Sequence, residues 1–225
     1  MLGVPEDCQT LNMALERAKA DPTIRKISVG KGEHQVEEDE YGENYLSIDF
    51  PITIVGNGDK NEVVVVGGFH IKEGVQGNVH VQNMTIRHLE GNGVYGWSPF
   101  TLEDVIVEQC GLYGVGASGT ACVARCTNVE VRQCKWGGVV AEDGGSIILM
   151  GAKTTVHHNN TDGNSNFFGL KVRDANSKIQ LVHPLTKESV ATDNQGGGNW
   201  GATDLEADIN QIQTIPSSYF PPTHL

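Results

Sequence analysis

A short block of alternating apolar and polar residues recurs four times in this chain of 225 residues. It reads Met84-Thr-Ile86-Arg-His-Leu89, Val105-Ile-Val107-Glu-Gln-Cys110, Val129-Glu-Val131-Arg-Gln-Cys134 and Thr154-Thr-Val156-His-His-Asn159. Successive blocks begin 21, 24 and 25 residues apart. A glycine followed by an aliphatic residue comes after each one: Gly93-Val94, Gly114-Val115, Gly138-Val139 and, after a longer gap, Gly169-Leu170. Self-similarity with a period in the twenties is the signature of stacked coils. A chain built this way folds into a rod, and any site it carries lies on the outside.

Side chains alternate in and out along a strand. Ile86, Val107, Val131 and Val156 therefore form one internal apolar column, and Thr85, Ile106, Glu130 and Thr155 point outwards. Asn83, Asp104 and Asn128 each stand just before the first apolar residue of a block. A short polar side chain that bonds nearby backbone suits a sharp corner. Each coil thus reads as strand, corner, strand, loop, strand, turn. Coils stack at the inter-strand spacing of about 4.8 Å, so seven or so give a rod of roughly 35 Å.

Before the first block the period is again 2. Ile27-Ser-Val29, Leu46-Ser-Ile48, Ile52-Thr-Ile54, Val63-Val-Val65, Phe69-His-Ile71, Val79-His-Val81 and Phe100-Thr-Leu102 are short strands. Gly-rich and Asn-rich joints separate them, as the 28 glycines of the chain lead one to expect. One helix is predicted, over residues 7–20. Leu11, Ala14, Leu15 and Ala18 share a face at helical spacing, Asp7 or Thr10 caps it, and Asp21-Pro22 stops it. A solenoid needs such a cap, because its first coil has no neighbour on one side. The organisation expected is one domain over 1–225: a capping helix at 7–20, coils over 24–195 and an irregular C-terminal tail over 196–225. Within that tail, residues 207–215 read equally as a short helix or an extended segment.

The net charge is −12. An acidic surface without a Lys/Arg run repels nucleic-acid phosphates and anionic membranes, so neither is an expected partner. No stretch reaches the length of a membrane helix. No charged leader with an apolar run is visible at the N-terminus, which favours the cytoplasm. Five cysteines occur without a CxxC pair, and Cys110 and Cys134 hold equivalent repeat positions. They read as buried free thiols rather than as a disulfide or a metal site.

The segments Ile27-Ser-Val-Gly-Lys-Gly-Glu-His34 and Pro51-Ile-Thr-Ile-Val-Gly-Asn-Gly58 carry a family resemblance. With the helix before them they resemble the opening coil of pectin methylesterases and related proteins of the pectin-lyase-like superfamily. The resemblance covers roughly residues 8–195. It implies a single-stranded right-handed parallel β-helix. It implies no single activity, since that fold hosts lyases, hydrolases, esterases, epimerases, tail fibres and non-catalytic recognition modules.

The catalytic sets of those enzymes are incomplete here. Asn160-Thr-Asp162-Gly163 matches one polygalacturonase-like segment, but the chain has no Asp-Asp pair, Gly-His-Gly or Arg-Ile-Lys to complete it. The methylesterase-like and epimerase-like segments are also missing. Oxygen ligands for calcium exist at Glu37–Glu40, at Asp59, Asn61 and Glu62, and at Asp162, Asn164 and Asn166. None follows a recognised calcium loop, so no metal or other cofactor is assigned. Both glycosylation-type triplets, Asn83-Met-Thr85 and Asn159-Asn-Thr161, coincide with repeat corners.

Two groups remain as candidate sites. His157, Asp162, Lys171 and Arg173 combine a proton shuttle, an acid and two bases on adjacent coils, and form the candidate catalytic set if the chain is an enzyme. Tyr95, Trp97, Tyr113 and Trp136 lie in or beside the loops that follow the blocks, and are the candidate ligand-binding residues. Aromatic faces of this kind take sugar rings or protein hot spots. The functional expectation is a non-catalytic recognition or scaffold module for a polysaccharide or protein partner. The alternative is a divergent polyuronate lyase or glycoside hydrolase.

Overall fold

The computed structural model describes residues 1–39, 41–204 and 206–219. It is an all-β parallel solenoid with three sheets, built from short strands that each pair with the equivalent strand one coil away. Sheet 1 has nine strands and runs from Leu2–Val4 through Lys26–Val29 to Ile212–Ile215. Sheet 2 has seven, from Gly32–Gln35 to Ala191–Thr192. Sheet 3 has seven, from Tyr45–Ile48 to Trp200–Ala202.

The apolar column expected from the repeat is present. Ile86 pairs with Val107, Val107 with Val131 and Val131 with Val156. All four are fully buried. The glycine pairs set an equally strict register on sheet 3, where Val94, Val115, Val139 and Leu170 stack in turn. The glycines themselves sit where the chain turns over the core. A Cβ on Gly114 would come within 2.3 Å of Val131 Cγ1, and one on Gly138 within 2.3 Å of Val156 Cγ1. No larger residue fits there without displacing the column.

Left-handed corners recur on both sides of sheet 2. Asn83, Asp104 and Asn128 have φ of 56°, 52° and 54° and lead from sheet 1 into sheet 2. Gln109, Gln133, His158 and Asp193, with φ between 52° and 57°, lead out of sheet 2. Asn and Asp are the non-glycine residues that tolerate this conformation best. Inside the second corner runs a polar ladder. The buried Asn159 donates through Nδ2 to Val131 O at 2.9 Å and to Asn194 Oδ1 at 3.0 Å. Its Oδ1 accepts from Cys134 N at 3.0 Å. Cys110 and Cys134 occupy the same position in earlier coils as buried free thiols. Burial drives the Cys134 thiol well above its ordinary pKa.

The capping helix is shorter than its pattern suggests and spans Leu11–Ala20. Thr10 is its N-cap and accepts from Met13 N at 3.2 Å. Asp7 closes a preceding turn instead, taking the amide of Gly3 at 2.7 Å. Residues before that turn, Leu2–Val4, add a first strand to sheet 1 that the sequence pattern did not suggest. The helix buries Leu11, Ala14, Leu15 and Ala18 against the first strands of sheets 1 and 3. The C-terminal part is more ordered than an irregular tail. Trp200–Ala202 extends sheet 3, and residues 207–215 form a 3₁₀ turn at Ile209–Gln211 followed by the last strand of sheet 1. The rest of the tail, residues 220–225, lies outside the described residues. Among the described residues no helix is long and apolar enough to cross a membrane.

Candidate functional site

Strand register sends two kinds of side chain to the outer face of sheet 3. In the column His70, Tyr95, Gly116, Val140, Lys171, each residue pairs with the next. Two residues further on, and so on the same face, Ser118 pairs with Glu142, and Arg173 follows the next strand. Gly116 is the gap that lets the Tyr95 ring lie flat, since a Cβ there would meet Tyr95 Cδ2 at 2.4 Å.

The aromatic rings form two touching groups. His70 lies 4.5 Å from Trp97, and Tyr95 lies 4.8 Å from Trp97 between ring centroids. In the three coils that follow, Trp136 stacks on Phe167 at 4.9 Å and 8°, and both meet Tyr113 edge-on. Phe167 is delivered by the loop after His158. Asn160, buried at a left-handed corner, pins that loop by donating to the carbonyls of Asn164, Phe167 and Gln195. That is the role of the Asn160-Thr-Asp162-Gly163 segment: it makes a corner.

Both groups line one open cavity of about 220 Å³ together with Asn92, Leu112, Glu142 and Arg173. A second cavity, of about 380 Å³, shares Tyr113, Trp136 and Arg173 with it and is lined further by Phe167, Lys171 and Asp204. All four aromatic residues singled out from the sequence therefore share a groove. They are not equivalent within it. Tyr95 and Tyr113 belong to strands rather than loops and are buried, whereas Trp97 and Trp136 are half-buried.

The polar groups of the groove are few and tightly arranged. Glu142, 8% exposed, accepts the Tyr95 hydroxyl through Oε1 and the Arg173 guanidinium through Oε2. Burial, followed by the Glu142 carboxylate, raises the Tyr95 phenol above its ordinary pKa. Hydrogen bonding to Glu142 raises Arg173. Burial lowers His70 to about 4, with Lys72 adding to the effect, so its ring is neutral at pH 7. Lys171 is 4% exposed and donates to Tyr113 Oη at 3.1 Å. Its Nζ lies 4.9 Å from the centre of the Phe167 ring. Burial, helped by the Arg173 charge, lowers the amine to about 8.

The four candidate catalytic residues separate. Lys171 and Arg173 stand in the groove; His157 and Asp162 do not. His157 faces out from sheet 2, where its ring nitrogens contact Glu130 at 3.2 Å and His158 at 2.7 Å. It ends a row of charges running along that sheet through Arg87, Glu108 and Arg132. Asp162 sits 3.8 Å from Lys135 on the loop. Sequence reasoning missed His70, Phe167 and Glu142. His70 was legible in principle, because it lies between Phe69 and Ile71 as Tyr95 lies between Val94 and Gly96.

The oxygen clusters considered for calcium serve local turns. Asp59 Oδ1 accepts from Asn61 N, Asn164 Oδ1 from Asn166 N, and Asp39 Oδ1 from Tyr41 N and Glu43 N. The acidic run from Glu37 ends on Glu40, which lies outside the described residues. Among the described residues no three His, Cys, Asp or Glu side chains gather as ligands of one metal ion. Comparison of the chain with family models, with curated proteins and with solved structures returns no match.

Proposed function

We propose that this protein is a glycan-recognition module whose ligand lies along the outer face of sheet 3, and that it is a divergent member of the pectin-lyase-like superfamily. One observation carries the reading. Tyr95, Trp97, Tyr113 and Trp136 line a single open groove in which the few polar groups are fixed by one another. Half-exposed indole faces bind the apolar faces of sugar rings, and fixed polar groups orient them. The Lys171 amine and the Arg173 guanidinium favour sugars that carry a carboxylate.

A polysaccharide lyase or hydrolase is the second reading. It is favoured by the presence of Lys171, Glu142 and Arg173 together in the groove, where perturbed ionisable groups mark candidate sites. Against it stand the incomplete catalytic motifs and the distance of His157 and Asp162 from the groove. A glycan array covering neutral and acidic oligosaccharides, followed by calorimetry with the best binder, tests the proposal. Binding that survives Trp136→Ala unchanged, or no binding to any glycan, refutes it. Turnover of a bound glycan promotes the second reading.

A further inference from the structure

Lys171 is the anomaly of the groove. Elsewhere on the chain Lys19, Lys31 and Lys135 each have a carboxylate within 4.0 Å. Lys171 is more buried than any of these and has no ion pair among the described residues. A lysine ammonium carries three donors. Among the described residues only one of them is used, on the hydroxyl of Tyr113. The Glu142 carboxylate is occupied by Tyr95 and Arg173, and Asp204, which lines the same cavity as Lys171, makes no ion pair with it within 4.0 Å. The amine nevertheless borders an open cavity of about 380 Å³, so a small molecule entering there meets it.

An amine desolvated by rings and placed beside a second cation is the arrangement that activates lysine as a nucleophile. The cation here is Arg173, and the rings are Tyr113 and Phe167. We propose that Lys171 captures the carbonyl carbon of an aldehyde or ketone as an imine, with Tyr113 assisting at the carbonyl oxygen. The lone pair of the neutral amine forms a C–N bond as the carbonyl π pair moves to oxygen. One amine proton passes to that oxygen and gives a carbinolamine. The C–O bond then breaks, the hydroxyl leaves as water with a proton from Tyr113, and the second amine proton returns to the phenolate. The sum is amine plus carbonyl giving imine plus water, with no change of oxidation state. Tyr113 is placed for this, because its oxygen already accepts from Lys171 and its own O–H has no acceptor among the described residues.

The charged and titratable groups facing the amine are Arg173, Glu142, Asp204 and Tyr113. Their balance with burial leaves the amine at about 8. About a tenth of it is then neutral at pH 7, whereas an ordinary exposed lysine is neutral to well below a thousandth. The open-chain form of a reducing sugar belongs to the carbonyl class, but the reaction does not require a polymeric ligand.

The test is reductive trapping. Native protein is treated with glycolaldehyde and cyanoborohydride between pH 6 and pH 10, and each lysine is quantified by peptide mapping. Lys171 is expected to be labelled at least ten times faster than the exposed Lys153 and Lys178 at pH 7, with a half-maximal rate near pH 8. Tyr113→Phe should slow Lys171 several-fold and leave Lys153 unchanged. Labelling of Lys171 no faster than Lys153 in the wild-type protein overturns the proposal without reliance on any variant. That outcome leaves the glycan reading standing, since the latter is judged by Trp136→Ala and calorimetry.

Discussion

The hydroxyl of Tyr95 is hydrogen-bonded to the carboxylate of Glu142, two coils further along the outer face of sheet 3. The contact ties the two ends of the aromatic groove together, and the same carboxylate holds Arg173. Hydrogen bonds to a charged group contribute more than neutral ones, about 1.5–3 kcal/mol. Tyr95→Phe is therefore expected to lower stability by about 2 kcal/mol in urea denaturation, with little loss of ring packing. An unchanged midpoint would mean that Glu142 is held by Arg173 alone.

The core register makes a sharper pair of expectations. Val131 is fully buried between Val107 and Val156. Val131→Asp places an unpaired carboxylate in that column and should cost at least several kcal/mol, enough to prevent folding. Glu130, its neighbour, faces out and bonds Arg132 and His157. Glu130→Lys removes a partly exposed pair and should cost about 1 kcal/mol or less. Circular dichroism melts of the two variants compare them directly, and equal damage would contradict the alternation.

The column was legible because stacking in register makes chemically like residues recur, and Ile86, Val107, Val131 and Val156 show that recurrence in one dimension. The corner residues Asn83, Asp104 and Asn128 were legible for the same reason. The groove was less so. Tyr95 and Lys171 stand at the same offset from Gly93 and Gly169, yet their chemistry differs, and repetition does not announce a column of unlike side chains. Glu142 was invisible, because its role depends on contacts with Tyr95 and Arg173 that come from other coils. His157 and Lys171 read as one cluster on adjacent coils, but the long loop between them carries the backbone from sheet 2 to sheet 3 and parts them.

Lys171 gives the folded protein a definite pH signature. Its amine titrates at about 8 when folded and near 10.5 when unfolded. Between those values the unfolded chain holds a proton that the folded chain has released. Stability therefore rises with pH across that window, and the full destabilising effect of the buried charge is present below it. Lys171→Met should be more stable than wild type at pH 7 and should lose the rise between about pH 8 and 10.5. Parallel stability-versus-pH curves for the two proteins would show the lysine to be unimportant.

Catalysis on polyuronates is not expected. Pectin, polygalacturonate and alginate should show no turnover by ultraviolet or reducing-end assay, with or without calcium. The observation behind this is the separation of Asp162 and His157 from Lys171 and Arg173. Turnover lost in Lys171→Met, in a variant that still melts normally, would establish the lyase or hydrolase reading instead.

The two tryptophans separate packing from recognition. Trp97 and Trp136 are half-buried at the groove, with Tyr95 and Tyr113 packed beneath as part of the sheet surface. Removing a ring that contributes one face to the fold and one to a ligand costs binding more than stability. An exposed aromatic anchor typically contributes about 2 kcal/mol or more to binding, roughly a thirty-fold change in Kd. Trp136→Ala leaves Phe167 without its stacking partner, so its melting temperature should fall by a few degrees. Trp97→Ala should fall less or equally, and both should lose at least ten-fold in affinity for the glycan found on the array. Melting temperatures far below wild type in both variants would make the rings part of the core. Normal melting with normal binding would leave the groove an idle surface and would turn attention to the row of charges ending at His157.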